Sequence, residues 1–286
     1  MSNYKHIWFQ SHDGLKLYAR DYPADKPVGT IICIPGLTRN SADFSLLCEH
    51  LSQQYRVIAV DLRGRGQSAY DPNPNNYFPG IYAEDIMTLL DELQLSSVVL
   101  IGTSLGGLVS MLVAAQRPNR VSAVIMNDIG PEANQSGLDR IKSYVCNTTP
   151  VANWEEAINK TQEVQSREYP DFERVDWERF TRNIYNENSQ GTPELNYDPA
   201  IALLLEQAQD NAVPPDLWPV FEAIRSTPLL VFRGELSDIL SVDCVEKMLT
   251  IHQQMDYKEV SRRGHTPLLS ESESLDSIDN FLERIA

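Results

Sequence analysis

Apolar residues fall in short unbroken runs, separated by longer stretches with helical spacing. Thr30 to Ile34, Arg56 to Val60, Val98 to Ile101, Val121 to Met126 and Pro228 to Phe232 read as strands covered on both faces. A short strand near Tyr257 to Val260 completes the series. Between them Ala42 to Gln53, Tyr82 to Leu93, Leu105 to Gln116, Asp243 to His252 and Ser274 to Ile285 read as helices. Alternation of this kind predicts parallel strands with crossover helices on both faces of one sheet. Ahead of it, Lys5 to Gln10 and Leu15 to Tyr22 flank His12-Asp13-Gly14. Asp-Gly between alternating apolar positions predicts an antiparallel hairpin at one sheet edge. The expected class is therefore α/β, a mostly parallel doubly wound sheet with an N-terminal antiparallel hairpin.

The rhythm breaks after Asp128. Residues 131 to 215 show no convincing buried strand and contain helical segments such as Trp154 to Gln165 and Ala200 to Asp210. The expected organisation is a core of residues 1–130 and 216–286 with a helical insertion, 131–215, over one end of the sheet. Trp154, Phe172, Trp177, Phe180, Tyr185 and Tyr197 supply aromatic surface in the insertion. Most are expected to pack among themselves, with one or two facing a pocket.

The 286 residues include 24 Lys and Arg against 40 Asp and Glu, a net charge of −16. With 42% hydrophobic residues the chain is not disordered throughout. Its acidity argues against nucleic acid, which needs a basic face, and against anionic membranes. A small-molecule substrate is the partner expected. The insertion holds 15 acidic and 7 basic residues, about half of the net charge. Polyanionic substrates such as acyl-CoA are thus expected to be used poorly.

Cys33, Cys48, Cys146 and Cys244 have no C-x-x-C spacing, which argues against zinc and dithiol chemistry. No basic segment followed by an apolar stretch opens the chain. With reduced thiols, that points to the cytoplasm. The uncharged run from Leu93 to Gln116 matches a membrane span in length. Its serines and glycines fit a buried strand, a tight turn and a buried helix better.

The sharpest local signal is Gly102-Thr103-Ser104-Leu105-Gly106-Gly107, a G-x-S-x-G pattern between a β-branched run and a helical run. A strand that turns at once into a helix leaves little room at the corner. The serine is held in a strained conformation, its hydroxyl is lifted to the end of the sheet, and the helix N-terminus with the Leu105 N–H faces the reacting carbonyl. Such a serine needs a base. His6, His12, His50 and His252 sit in a strand, a hairpin turn and two helices. His265 differs, since it lies in the turn Arg263-Gly264-His265-Thr266-Pro267 between the last strand and the last helix. The base in turn needs an acid. Asp238 follows one strand and Asp128 follows another, both at C-terminal strand ends, with Glu235 an outsider. Asp238 is favoured because the order Ser…Asp…His with one α/β step between acid and base is usual. Two N–H donors are needed for an oxyanion. Leu105 supplies one, and Leu37, with Thr38 next, supplies the other from Pro35-Gly36-Leu37-Thr38. Arg39 is a candidate for holding a substrate carboxylate, or else a loop-bracing arginine. Asp61-Leu62-Arg63-Gly64-Arg65-Gly66-Gln67-Ser68 lacks G-x-G-x-x-G and reads as a tight structural loop.

Taken together, the Gly102–Gly107 turn, the Asp61–Ser68 loop, the acid loop at Asp238 and Gly264-His265 make the chain resemble the α/β-hydrolase superfamily over nearly its whole length. The resemblance implies Ser104 as nucleophile, Asp238 as acid, His265 as base, Leu37 and Leu105 at the oxyanion positions, and 131–215 as a lid. Many members carry His-Gly where this chain has Pro35-Gly36. Serine at the elbow argues against the haloalkane dehalogenase and epoxide hydrolase branches, which use aspartate. The implied activity is hydrolysis of small carboxylic esters or lactones, with no metal or cofactor required. Carbon–carbon bond hydrolysis of ring-cleavage products and acyl transfer use the same triad. A ligand-binding member without catalysis is the reading from another class, and the intact Ser, Asp and His argue against it.

Overall fold

A computed structural model describes residues 3–207 and 216–285. The strands are β1 (Lys5–Gln10), β2 (Lys16–Tyr22), β3 (Thr30–Ile34), β4 (Arg56–Asp61), β5 (Val98–Thr103), β6 (Val121–Asn127), β7 (Tyr185–Glu187), β8 (Pro193–Leu195), β9 (Leu229–Gly234) and β10 (Met255–Val260). The α-helices are α1 (Ser45–Leu51), α2 (Pro79–Glu92), α3 (Leu105–Gln116), α4 (Gln135–Cys146), α5 (Trp154–Gln165), α6 (Arg174–Ile184), α7 (Ala200–Gln207), α8 (Trp218–Ala223), α9 (Val242–Ile251) and α10 (Ser272–Ile285).

Eight strands form one sheet in the order β1-β2-β4-β3-β5-β6-β9-β10. β1 pairs antiparallel with β2, and β2 with β4, while all pairings from β4 to β10 are parallel. The expected α/β class and the edge hairpin are both present. Successive side chains of a strand point to opposite faces, and here both faces are covered. In β3, Ile32 and Ile34 join the core that holds Ile86 and Leu89 of α2 and Val109 of α3. Their neighbours Ile31 and Cys33 join the core that holds Leu47 of α1 and Phe281 of α10. This two-sided burial explains why the central strands are unbroken apolar runs. The Leu93–Gln116 run resolves into the turn after α2, then β5, the serine turn and α3. No helix among the described residues is long and apolar enough to cross a membrane.

The stretch between β6 and β9 departs from expectation in detail. It holds α4, α6 and α8 as well as the expected α5 and α7, and a small antiparallel hairpin, β7–β8. The hairpin escaped notice because its strands are three residues each and mostly solvent-facing, so no apolar run marks them. Residues 208–210 of the expected Ala200–Asp210 helix and the expected boundary at 215 lie outside the described residues. The expected Ala42–Gln53 helix starts as a 3₁₀ turn, Ser41–Phe44, capped by the Asn40 side chain on the Ala42 N–H.

The Asp61–Ser68 loop is a structural brace. The Arg63 side chain is completely buried and donates to Asp85 through two nitrogens at 2.7 and 2.6 Å, to Asp71 at 2.6 Å and to Asp13 at 3.0 Å. One guanidinium thus ties the hairpin turn, the loop after β4 and α2. The Arg65 Nε donates to the Leu37 carbonyl at 2.8 Å, fixing the loop after β3. Removing one partner of such a buried cluster leaves charges without compensation. Arg63→Ala is therefore expected to lower stability by roughly 3–5 kcal/mol in urea unfolding; a loss under about 1 kcal/mol, the surface-pair range, would contradict the bracing role.

Candidate active site

Ser104 lies between β5 and α3 with φ 52° and ψ −118°. For a residue with a Cβ this conformation costs of order 1–3 kcal/mol and persists only when its surroundings enforce it. They do so by close approach. A Cβ on Gly102 would lie 2.2 Å from the Gly106 carbonyl oxygen, and one on Gly106 would lie 2.0 Å from that of Ile34. Only glycine fits either place. The Ser104 N–H donates to the Asn127 carbonyl at 2.9 Å, so the turn is also pinned to the end of β6.

The Ser104 hydroxyl lies 2.8 Å from His265 Nε2. On the far side of the imidazole, Nδ1 lies 2.7 Å from an Asp128 carboxylate oxygen. Asp128 follows β6 directly, has φ 57°, and is fully buried. Its carboxylate also accepts the Gly234 N–H at 2.8 Å and the Ser237 hydroxyl at 2.6 Å. An ionised carboxylate only accepts hydrogen bonds. It therefore places the imidazole proton on Nδ1 and leaves the Nε2 lone pair for the serine hydroxyl.

The favoured acid, Asp238, does not meet His265. Its carboxylate is gripped by Arg140 of α4 through Nε at 2.6 Å and Nη2 at 2.7 Å. Burial pushes the Asp238 carboxyl upward, but the Arg140 bonds and charge outweigh it and hold the carboxyl below its ordinary value. Of the two aspartates, it is the alternative, Asp128, whose carboxylate lies against His265. The physical reason is a cation from a distant helix that claims Asp238. Glu235 is turned elsewhere too, accepting the Arg262 N–H at 2.7 Å.

The other histidines are engaged away from the serine. His6 meets the Tyr18 hydroxyl, His12 meets Glu84, His50 meets Asp279, and His252 meets the Thr227 carbonyl. Leu37 and Thr38 line the cavity at Ser104, and Leu105 opens α3. N–H groups in the first turn of a helix have no acceptor within it. A Cβ on Gly36 would sit 3.7 Å from the Ser104 Cβ, which places the loop after β3 against the nucleophile turn.

The cavity at Ser104 has a volume of about 120 Å³. Its walls include Ile141, Phe180 and Leu268 and the tyrosines Tyr144 and Tyr169. Of the aromatics named from the sequence, Phe180 reaches the cavity. Trp177 and Phe172 pack on Tyr169 behind it. Tyr144 and Tyr169 are not marked by the expected elements, though Ile141 and Tyr144 share a helical spacing that places them on one face of α4. Arg39 also lines the cavity, but Asp43 takes it with two hydrogen bonds of 2.6 Å, and its guanidinium lies 4.3 Å over the Phe180 ring. Burial alone would lower the Arg39 pKa, and the Asp43 charge more than reverses this. Its charge is therefore already balanced.

Among the described residues, His12, Asp13 and Asp85 bring three donor atoms within 4.8 Å of one another. Both carboxylates are bonded to Arg63, so this donor set does not fit a cation.

Residues 29–183 match the alpha/beta hydrolase fold family. A 3-hydroxybutyrate-oligomer hydrolase of Cupriavidus necator is 32% identical over 83% of this chain and 82% of its own. The chain belongs to the alpha/beta hydrolase fold family. It is a hydrolase, and similar members with solved structures or assigned activities span most of its length. An alpha/beta hydrolase of Novosphingobium aromaticivorans superposes with a TM-score of 0.93 at 39% identity, covering 99% of each chain. A 2-(acetamidomethylene)succinate hydrolase of Mesorhizobium japonicum is 28% identical over 87% of this chain and 86% of its own.

The two carboxylates of this hydrolase should separate cleanly. Asp128→Asn removes the acceptor that sets the tautomer and is expected to lower kcat by about 10⁴-fold. Asp238→Asn is expected to lower it far less, within about a hundredfold for a group that acts only by placement. Comparable losses in both variants, or the larger loss at Asp238, would contradict the assignment.

Proposed function

We propose that the protein hydrolyses small neutral carboxylic esters or lactones through an acyl-enzyme on Ser104, with His265 as base and Asp128 as its acid. The carrying observation is the unbroken contact from a buried carboxylate through the imidazole to the hydroxyl of a strained serine. His265 Nε2 takes the Ser104 proton as Oγ attacks the carbonyl carbon, and the carbonyl electron pair moves to oxygen. The N–H groups of Leu37 and Leu105 receive that oxyanion. Collapse breaks the bond to the alcohol oxygen, which takes the proton from His265. Water then gives a proton to Nε2, its oxygen attacks the acyl carbon, and the acid leaves as the proton returns to Ser104.

Three features support the substrate class. A cavity of about 120 Å³ is small beside the roughly 300–1,000 Å³ of drug-sized sites. The one cation named for a carboxylate, Arg39, is matched by Asp43, which favours neutral substrates. The Cupriavidus necator relative acts, by its name, on oligomers of a hydroxy acid, so short esters of hydroxy acids, with the terminal carboxyl capped to keep them neutral, are the first compounds to try. We read residues 131–215 as a lid on a core of 1–130 and 216–286. The four unbridged cysteines support a reducing compartment, the cytoplasm.

Ser104→Ala is expected to abolish turnover of a short-chain p-nitrophenyl ester, at least about 10³-fold, while circular dichroism stays unchanged; turnover at the wild-type rate would overturn the mechanism. A neutral short ester should be cleaved faster than the same acyl group on CoA or on a carboxylate-bearing alcohol. The opposite ranking would overturn the neutral-substrate reading. Product analysis with an added acceptor alcohol separates hydrolysis from acyl transfer.

A further inference from the structure

We propose that Glu168 is a positioning residue for His265, clasping the base's loop from the segment between β6 and β9. The proposal rests on reading His265 as the base and adds a residue that the triad does not contain. Glu168 is only 1% exposed. Its Oε2 accepts the His265 N–H at 2.6 Å, and its own carbonyl accepts the Gly264 N–H at 2.9 Å. The next residue, Tyr169, donates its hydroxyl to the Thr266 carbonyl at 2.8 Å. Three consecutive residues around the base are thus bonded to two consecutive residues of the segment.

The fit is steric as well as polar. A Cβ on Gly264 would lie 1.7 Å from Glu168 Oε2, so glycine ahead of the base is what admits the carboxylate. The charge is answered by Arg140, whose Nη2 is 3.4 Å from Glu168 Oε1 while the same guanidinium grips Asp238. Burial pushes the Glu168 carboxyl up, and Arg140 with the His265 N–H partly offsets this. Burying a carboxylate is unfavourable unless it is paired and bonded. Packing alone would be served by an apolar residue, but the His265 N–H would then be left without its acceptor.

The consequence is mechanical. Fixing the N–H of His265 limits the swing of its main chain, and with it the place of Nε2 relative to Ser104. Displacements near 1 Å at a reacting group cost on the order of a hundredfold in rate. Lifting the segment away breaks the contacts of residues 264–266 together, so alignment of the base depends on the segment being seated.

The test uses the full-length protein and three variants. Glu168→Ala removes the acceptor. It is expected to lower kcat by about ten- to a hundredfold with little change in KM, and to slow fluorophosphonate labelling of Ser104 by the same factor. Glu168→Gln keeps an acceptor oxygen and should recover most of both rates. Tyr169→Phe removes one hydroxyl of the clasp without opening the core. It should lower kcat severalfold, and it keeps the test open if Glu168→Ala does not fold. Glu168→Ala with wild-type kcat and labelling, changed only in melting temperature or KM, would overturn the proposal. So would Glu168→Gln as slow as Glu168→Ala, or, if the alanine variant does not fold, Tyr169→Phe with unchanged kcat. Ser104→Ala and His265→Ala run alongside. If these remain active, the reading of the base has failed; if they are dead while Glu168→Ala is fully active, only the clasp has failed.

Discussion

The hydrogen bond between Asp128 and His265 Nδ1 is the contact on which the site depends. It is possible because the sheet delivers its strand ends to one place. β6 ends at Asn127, so Asp128 stands at its tip. β9 ends at Gly234, whose N–H binds the Asp128 carboxylate, and the loop beyond it returns Ser237 to the same group. β10 leads into the turn that carries His265. β5 leads into Ser104. Parallel strands place these ends side by side, and the doubly covered sheet holds them rigid. Three donors meet one buried carboxylate, an arrangement that fits the role proposed for Asp128 beside His265.

Much of this was legible in the residues. The strand runs were plain because each is buried on both faces. The serine turn was plain because Gly102 and Gly106 are demanded by contacts under 2.5 Å, and such demands leave a fixed pattern of glycines. His265 stood out by its place after the last strand. The carboxylate that meets His265 was not legible in the same way. Asp128 and Asp238 both follow strands, and local sequence treats them alike. What separates them is Arg140, a residue of α4 that folds back onto Asp238 and has no mark of that role in its neighbourhood. The role of Glu168 is hidden for the same reason. It reads as one more acidic residue of a charged segment until Gly264 is seen lying against it. α6 was missed because it is rich in charge and buries little, with Trp177 and Thr181 its buried residues.

Arginines do much of the internal organisation. Arg63 binds three separate elements, Arg65 holds the Leu37 carbonyl, Arg39 is matched with Asp43 at the cavity wall, and Arg140 bridges Asp238 and Glu168. A planar guanidinium with several donors suits such many-sided contacts better than a lysine ammonium does. In a chain with a net charge of −16, these cations are spent on internal carboxylates and carbonyls. The cavity beside Ser104 is left with a balanced ion pair, aromatic and aliphatic groups and uncharged polar side chains such as Gln165 and Asn183, surroundings in keeping with the neutral ester proposed.

The most direct test of the account is the proton NMR signal of the imidazole Nδ1–H, assigned to His265 by its absence in His265→Ala. A proton shared with a buried carboxylate resonates far downfield. Such a resonance is expected in the wild-type protein, with its loss in Asp128→Asn and its persistence in Asp238→Asn. A resonance that survives Asp128→Asn and vanishes in Asp238→Asn would contradict it.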